Sequence, residues 1–200
     1  MEIAVHEQLR QLLTEMEEFG AKNDCENADR PKRMLNITRD TGELLAVLVK
    51  CTRAKRILEI GTSNGYSTLW MAEAARSVNG VVTTVECSDY KIGLAAQNFQ
   101  RARLTDIITQ VKGDAGSFLS DCADESYEMI FLDAERSEYP DYWPDLRRIL
   151  CQAGLLVVDN AVSHQEQMAP FVALVESDKG YTTCLIPVGN GEYLATRSQS

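Results

Sequence analysis

The sequence lacks several features that would direct it to particular classes of protein. Its six cysteines, at positions 25, 51, 87, 122, 151 and 184, form no C-x-x-C pair, which argues against a structural zinc site. We expect them to be reduced and mostly buried thiols. Basic residues are scarce, 20 against 30 acidic residues with a net charge of −10. Nucleic acid is therefore not an expected partner, because its backbone requires clustered Lys and Arg.

Long apolar runs are also missing. No run approaches the roughly 20 residues that cross a bilayer, so no membrane partner is expected. Glu2, His6, Glu7 and Arg10 place charge and polarity where a secretory leader would be apolar, and the cytoplasm is the predicted compartment. A chain of 200 residues with 44% hydrophobic residues is long enough for one domain with a core of its own.

Short apolar runs alternate with helical segments, which predicts an α/β fold with a parallel sheet covered on both faces. A tight Val188-Gly189-Asn190-Gly191 turn links the last two runs, so we expect a final antiparallel strand and seven strands in all. The predicted strands are 56–60, 81–85, 107–111, 127–132, 154–158, 181–187 and 192–196. The predicted helices are 38–50, 66–76, 89–103, 115–121, 140–150 and 164–176.

The N-terminal region precedes this alternating pattern. Apolar residues recur at helical spacing there and predict an amphipathic helix, namely Ile3, Val5, Leu9, Leu12, Leu13, Met16 and Phe19. This helix either packs on the domain or acts as a dimer or lid element. Residues 20–33 are polar and are predicted to form a mobile connection or lid.

Ligands of open parallel sheets bind at the carboxyl ends of the strands, near the point where strand order reverses. The first strand ends in Glu59-Ile60-Gly61, and Gly65 closes a tight turn into a helix whose N–H groups are free. The turn lacks the middle glycine of a dinucleotide fingerprint. Glu59 would repel a pyrophosphate and suits a cationic ligand such as S-adenosylmethionine, although a purely structural turn is the alternative.

The next two strand ends also carry acidic residues. Glu86 could accept hydrogen bonds from both ribose hydroxyls, or it could be a solvated or capping residue ahead of Ser88 and Asp89. Asp114 and Ala115 follow the third strand and leave room for a flat adenine ring. The preceding Gly113-Asp114 pair is also an ordinary turn and helix N-cap pair.

The fourth and fifth strands end in Asp133 and in Asp159-Asn160. If these strands are adjacent, two carboxylates and an amide converge at one edge of the sheet. Two like charges are costly to bury together unless a cation joins them. Oxygen ligands suit Mg²⁺, so the set predicts a metal site. The alternative is that one Asp caps a helix while the other binds a cofactor.

Taken in order, these motifs resemble those of the cation-dependent O-methyltransferases, the group that includes catechol and caffeoyl-coenzyme A O-methyltransferases. The resemblance runs from about Met34 to Arg197. It is most specific at Glu59-Ile60-Gly61 with Gly65-Tyr66-Ser67, at Leu132-Asp133-Ala134 with Tyr139 and Tyr142, and at Val158-Asp159-Asn160.

The resemblance implies a class I methyltransferase, Rossmann-like doubly wound sheet in a single domain, with residues 34–200 as the catalytic core. It implies S-adenosylmethionine, a divalent cation (Mg²⁺ first, Mn²⁺ or Ca²⁺ also compatible), a small phenolic, catechol-like hydroxyl acceptor, and a homodimer. The implied metal ligands are Asp133, Asp159 and Asn160. The implied cofactor-binding residues are Ile37, Glu59, Gly61, Thr62, Ser63, Ser67, Glu86, Asp114, Ala115, Asp133 and Glu135.

The chain departs from the family pattern near the metal ligands. Relatives place a Lys three residues after the first metal Asp as a candidate base, and here that residue is Arg136. Arginine stays protonated, so it could steady an oxyanion but not accept a proton. His164 lies just beyond Asn160 and either takes the proton or is a surface residue that opens the next helix. Asp133, Arg136 and His164 are thus the catalytic candidates.

Three other functions fit parts of the pattern. They are a methyltransferase that needs no metal, a nicotinamide-dependent oxidoreductase on a similar sheet, and a binding protein that keeps the pocket without turnover.

Overall fold

The computed structural model describes residues 2–198, with side chains from Glu7 onward. Seven strands form one sheet: β1 Arg56–Ile60, β2 Val81–Glu86, β3 Ile108–Lys112, β4 Tyr127–Leu132, β5 Leu150–Val158, β6 Tyr181–Ile186 and β7 Glu192–Arg197. The helices are α1 Glu2–Glu26, α2 Arg39–Thr52, α3 Tyr66–Arg76, α4 Asp89–Ala102, α5 Ala115–Asp121, α6 Tyr139–Ile149 and α7 Gln165–Ser177. Short 3₁₀ turns lie at Arg30–Lys32 and Arg136–Glu138.

The strand order is β3-β2-β1-β4-β5-β7-β6. Strands β1 to β5 are parallel where they pair, and β7 runs antiparallel to both β5 and β6. The order therefore reverses between β1 and β4, and the carboxyl ends of these two strands form the crevice where a ligand is expected. This topology confirms the predicted doubly wound sheet with its antiparallel strand.

Helices cover both faces of the sheet. Helices α1 to α4 pack on one face, against inward side chains such as Ile57 and Phe131. Helices α5 to α7 pack on the other, against Leu58 and Ile130. Because neighbouring residues of the central strands are buried on opposite faces, these strands are mostly apolar, as parallel strands usually are, with Glu59 of β1 as a buried exception.

The N-terminal helix is longer than predicted. Residues 20–26 continue α1, so the predicted connection over 20–33 is wrong for its first half, and only residues 27–38 link α1 to α2. Once a helix is nucleated and docked, polar residues extend it at little cost. Leu9, Leu12, Leu13 and Met16 are buried as expected, whereas Phe19 is 44% exposed.

Helix α1 is tied to the domain by polar contacts as well. The Tyr66 hydroxyl donates to the Glu17 carboxylate, and Arg39 Nη2 donates to the other oxygen of Glu17 at 2.8 Å. These contacts join α1 to α3 and α2. In this structure α1 is a packed part of the fold, the first of the two roles considered for it.

The cysteines are free, as predicted, but the expectation that most are buried is wrong. Four are exposed and two are half-buried. They lie at helix ends, near strand ends and on the edge strand β6, and of the two half-buried ones Cys122 packs against the core on the α5–α7 side. Within residues 2–198, no helix combines the length and apolarity needed to span a membrane.

Candidate active site

The turn after β1 brings the ends of β1 and β4 into contact. Gly61 has a φ of +103°, and a Cβ placed there would lie 2.1 Å from the backbone oxygen of Asp133. Only glycine permits this approach. The amide N–H groups of Gly61 and Asp133 donate to the carbonyls of Val85 and Ile60, each at 3.0 Å. Asp133, the first of the three predicted metal ligands, is thus fixed against the turn predicted to bind the cofactor.

A fully buried carboxylate, that of Glu59, lies beneath this turn. Glu59 has no exposed surface, and it accepts hydrogen bonds from the hydroxyls of Ser67, Thr68 and Thr84, the last at 2.6 Å. Burial raises the pKa of Glu59 to about 7. Thr62, which is also buried, pairs its hydroxyl with that of Thr84. Glu59 would therefore act on a ligand through the hydroxyls it holds.

Glu86 closes the other side of the turn. One of its carboxylate oxygens accepts from the N–H of Ser63 at 2.9 Å, and the other accepts from the N–H groups of Cys87 and Ser88. The N-cap of α4 is Ser88, so Glu86 is not the capping residue. The Cys87 thiol, a weaker donor, also lies 3.7 Å from the second of these oxygens, whereas Oε2 accepts only from Ser63 among the described residues, and each carboxylate oxygen can accept about two hydrogen bonds. Capacity for a ligand hydroxyl remains.

The connection between α1 and α2 passes over this turn. Ser63 Oγ donates to the Met34 carbonyl at 2.7 Å, and Ser63 itself has a φ of +47°. The Asp24 carboxylate accepts from the N–H groups of Met34 and Leu35, at 2.6 and 2.9 Å. These bonds hold the connection at the crevice. Ile37, at its end, is 4% exposed and packs in the core of the α1–α4 side.

The remaining predicted cofactor residues lie at the rim. Asp114 caps α5 by accepting from the Ser117 N–H and hydroxyl, both at 2.8 Å, and the backbone bond lowers the pKa of Asp114. The capping geometry considered for Asp114 is thus observed. Ala115 is half-buried, and Glu135 is exposed.

Asp133, Asp159 and Asn160 converge, as the adjacency of β4 and β5 requires. Leu132 and Val158 are direct partners in the sheet, and the Asp residues follow them. Asn160 Nδ2 donates to Asp159 Oδ2 at 2.7 Å and to Asp133 Oδ1 at 3.3 Å. The prediction that the ends of these strands meet is confirmed.

This acidic centre is electrostatically strained. Burial, followed by the charges of Asp159 and Glu59, raises the pKa of Asp133 well above its ordinary value. Burial also raises the pKa of Asp159, whose side chain belongs to a residue only 3% exposed. Asp159 Oδ1 is buried and accepts no hydrogen bond from a donor group. Two neighbouring carboxylates with this little compensation favour a proton or a cation between them.

A fourth acidic side chain borders this centre, and sequence reasoning missed it. Glu192 begins β7 and has no exposed surface. Burial, followed by the nearby charge of Asp159, raises the pKa of Glu192 to about 9. A Glu directly after a Gly-Asn-Gly turn resembles an ordinary surface residue. Only the pairing of β7 with β5 places it beside Asp159.

Arg136 and His164 flank the acidic centre on its outer side. Arg136 is 5% exposed, and its Nε donates to Gln167 Oε1 at 2.9 Å. Its charge acts on both Asp133 and Asp159. His164 is the N-cap residue of α7, with Nδ1 2.9 Å from Ser163 Oγ. Burial, then the charges of Arg136 and Arg30, lowers the pKa of His164, so its imidazole is neutral at pH 7.

The donor set of the acidic centre fits a hard divalent cation. Within residues 2–198, no group of three or more His, Cys, Asp or Glu side chains is arranged as a metal site, so the candidate rests on two carboxylates and one amide. The Asn160 amide nitrogen now lies between the two carboxylates, and amide oxygen and nitrogen can exchange places by a flip. After such a flip, the Asn160 amide oxygen and the unpaired Asp159 Oδ1 would both be available as ligands. They would complete an all-oxygen set of the kind that Mg²⁺ prefers.

Fold and site together define a class I methyltransferase crevice with an acidic centre. The chain belongs to the O-methyltransferase family, whose sequence profile matches residues 1–198. Over 174 residues it is 34% identical to a Mycobacterium avium (strain 104) protein named as an O-methyltransferase, covering 80% of this chain and 78% of that protein.

Solved structures agree with this assignment. The O-methyltransferase of Bacillus cereus, solved in complex with SAH, superposes with a TM-score of 0.79 at 25% identity, covering 94% of this chain and 91% of that one. A Staphylococcus aureus protein named as a caffeoyl-CoA O-methyltransferase superposes with a TM-score of 0.81 at 23% identity, covering 93% and 92%. This last likeness supports the fold.

Proposed function

We propose that this protein transfers the methyl group of S-adenosylmethionine to a hydroxyl of a small phenolic, catechol-like acceptor with the help of a divalent cation. The observation that carries the proposal is the contact between Gly61 and the backbone of Asp133. It joins the glycine turn of a nucleoside site to the acidic centre. A methyl donor in the turn and an acceptor at the acidic centre would therefore be neighbours.

The cofactor assignment rests on the turn and its surroundings. Glu86 is held by three backbone N–H groups with accepting capacity left for ribose hydroxyls. The segment over the turn is fixed by Ser63 and Asp24. The Bacillus cereus relative, which holds the demethylated product SAH, supports the same ligand class here. Bound S-adenosylmethionine would supply the reactive methyl group on its sulfonium sulfur.

The cation assignment rests on Asp133, Asp159 and Asn160. The carboxylates of Asp133 and Asp159 lie close together, and their pKa values are raised. One buried oxygen of Asp159 has no hydrogen-bond donor within the part of the chain that the structure describes. A bound Mg²⁺ would relieve this repulsion and lower the pKa of an acceptor hydroxyl. A catechol offers two adjacent oxygens to such a centre, which is why a vicinal diol is the favoured acceptor.

Proton transfer is assigned to the outer side of the centre. Arg136 stays charged and, being buried near Asp133, would stabilise negative charge on the acceptor oxygen rather than accept its proton. His164 is neutral at pH 7 and is the candidate acceptor of that proton. The protein otherwise orients the reactants, as expected for a reaction dominated by positioning.

The deciding experiment is a methyl-transfer screen with S-adenosylmethionine over catechol, dihydroxybenzoate and hydroxycinnamate acceptors, with Mg²⁺ or with a chelator. We expect activity on vicinal diols that the chelator abolishes. Full activity with chelator would identify a metal-independent methyltransferase. No turnover, with heat stabilisation by S-adenosylhomocysteine, would identify a binding protein, and stabilisation by NAD alone would identify an oxidoreductase.

A further inference from the structure

The tip of the β6–β7 hairpin joins two parts of the site. Gly189 has a φ of +56°, and a Cβ placed there would lie 2.3 Å from Thr41 Oγ1 on α2. On its other side, the Asn190 carbonyl accepts from the N–H of Ser163 at 3.0 Å. The Gly191 carbonyl accepts from the N–H of Ala161 at 2.8 Å. The tip therefore touches both the start of α2 and the loop that follows Asn160.

Glu192 follows this tip, and its side chain also connects the start of α2 with the region of Asp159. Thr41 Oγ1 donates to Glu192 Oε1 at 2.9 Å. Tyr193 pairs with Val158 in the antiparallel β5–β7 ladder, so Glu192 lies one step further along, opposite Asp159. Side chains at opposed antiparallel positions share a face of the sheet. The carboxyl groups of Glu192 and Asp159 therefore lie close together, and each affects the pKa of the other.

Two buried oxygens, one on each of these side chains, are left without a hydrogen-bond donor among the described residues. Glu192 Oε2 and Asp159 Oδ1 are both inaccessible to solvent, and neither accepts from a donor group of another residue in the described part of the chain. Buried oxygens without a partner are costly. Since Glu192 Oε1 is occupied by Thr41, its Oε2 is left for Asp159, and the pair is satisfied when Glu192 donates to Asp159.

We propose that Glu192 is a positioning residue that fixes the carboxylate of Asp159 for the divalent cation and anchors it to the start of α2 through Thr41. This inference rests on the proposed role of Asp159 as a cation ligand. Hydrogen-bonded partners of metal ligands orient the ligand and raise affinity, and their removal typically costs about 10–100-fold in metal affinity. Glu192 meets this description without itself facing solvent.

Two substitutions separate positioning from packing. Glu192→Gln keeps the shape, an N–H₂ donor for Asp159 and an oxygen acceptor for Thr41. Glu192→Leu keeps buried bulk but has no donor and no acceptor. Tyr193→Phe is the matched control, because Tyr193 is the next buried residue of β7 and packs in the core on the α5–α7 side.

The measurement is binding of Mn²⁺ to the purified protein, by isothermal titration and by the electron paramagnetic resonance signal of free Mn²⁺. We expect Glu192→Leu to weaken binding at least tenfold, within the ~10–100-fold range above. Glu192→Gln and Tyr193→Phe should stay within about threefold of the parent protein, a change of less than 1 kcal/mol. Rescue by Gln is the result that a merely structural role would not give.

Unchanged Mn²⁺ affinity in Glu192→Leu would overturn the inference and leave the cation assignment standing. An equal loss of Mn²⁺ affinity in Glu192→Gln and Glu192→Leu would also overturn the inference, because the charge of Glu192 rather than its hydrogen bonding would then matter. Absence of Mn²⁺ binding in the parent protein would overturn the cation assignment and this inference together. If Glu192→Leu does not fold, Thr41→Val decides: weaker binding supports the bridge, and unchanged binding overturns it.

Discussion

Two buried carboxyl sites near the Gly61 turn are satisfied in different ways. Glu59 accepts from three hydroxyls, on Ser67, Thr68 and Thr84. Asp159 faces the carboxyl group of Glu192 and keeps an oxygen that no donor group reaches. Burial raises the pKa of both Glu59 and Asp159.

The difference separates a structural carboxylate from one that is available for a ligand. Three hydroxyl donors satisfy Glu59, which no solvent reaches, so it serves to hold the start of α3 under β1. The acidic centre carries more negative charge than its donors can stabilise, which is the condition under which a cation binds favourably. Degree of satisfaction, rather than burial, distinguishes the two sites.

The largest effect is expected at the acidic centre. Asp133→Asn removes one negative charge there while keeping side-chain volume, and should lower kcat by roughly 10²–10³-fold, as loss of one charge-stabilising group typically does. Cation affinity should fall with it, and the free energy of unfolding should not decrease. Steady-state kinetics, Mn²⁺ titration and urea unfolding measure the three. Parental turnover and affinity would show that Asp133 is not a ligand.

The next effect tests the structural carboxylate through pH. The pKa of Glu59 is about 7 in the folded protein against an ordinary 4.5, so folding favours its protonated form. That stabilisation is complete below pH 4.5 and is lost as pH rises towards 7, a difference of about 3 kcal/mol. Glu59→Gln has no proton to lose there.

Urea unfolding of the parent protein and Glu59→Gln at several values between pH 4.5 and 8 measures this difference. We expect the stability of the parent, relative to the variant, to fall across that range and then level off. Parallel curves would mean that Glu59 stays charged and that its three hydroxyl bonds outweigh its burial. A large loss of S-adenosylhomocysteine affinity in the variant would assign Glu59 to the ligand instead.

Glu86 has backbone donors on both oxygens but is only half-buried, and its Oε2, with one donor, can accept more. Glu86→Ala should weaken S-adenosylhomocysteine binding by roughly 10–100-fold, the equivalent of the ~1.5–3 kcal/mol of a charged hydrogen bond. The pH profile of turnover should keep its shape, because Glu86 is not assigned a proton. Isothermal titration is the direct measurement, and unaltered affinity would contradict the ribose role.

The smallest effect is expected at the connection over the turn. Asp24 holds the backbone of Met34 and Leu35, and Leu35 has a φ of +51°, an uncommon conformation that this contact supports. Asp24→Asn keeps one acceptor oxygen of the two. We expect about 1 kcal/mol of lost stability and faster proteolysis between residues 27 and 38, measured by limited digestion. Digestion at the parental rate would show that Ser63 alone holds the connection.

Much of this site follows from local pattern. Gly61, Glu86, Asp133 and Asp159 each stand directly at or after the end of a short apolar run, and parallel strands place such ends on one edge of a sheet. Helix boundaries were less predictable. The polar residues 20–26 resemble a connection, yet they continue α1 because docking of Leu12 and Met16 and the contact of Glu17 with Tyr66 anchor the helix before them.

The sequence by itself determined the doubly wound sheet, the glycine turn and the two acidic strand ends, because hydrophobic periodicity and turn chemistry are local properties. The tertiary structure decided which carboxylates are satisfied. Glu192 lies 33 residues beyond Asp159 in the chain and meets it only because β7 inserts antiparallel between β5 and β6. Contacts of this kind depend on strand order and register, which no local window of sequence contains.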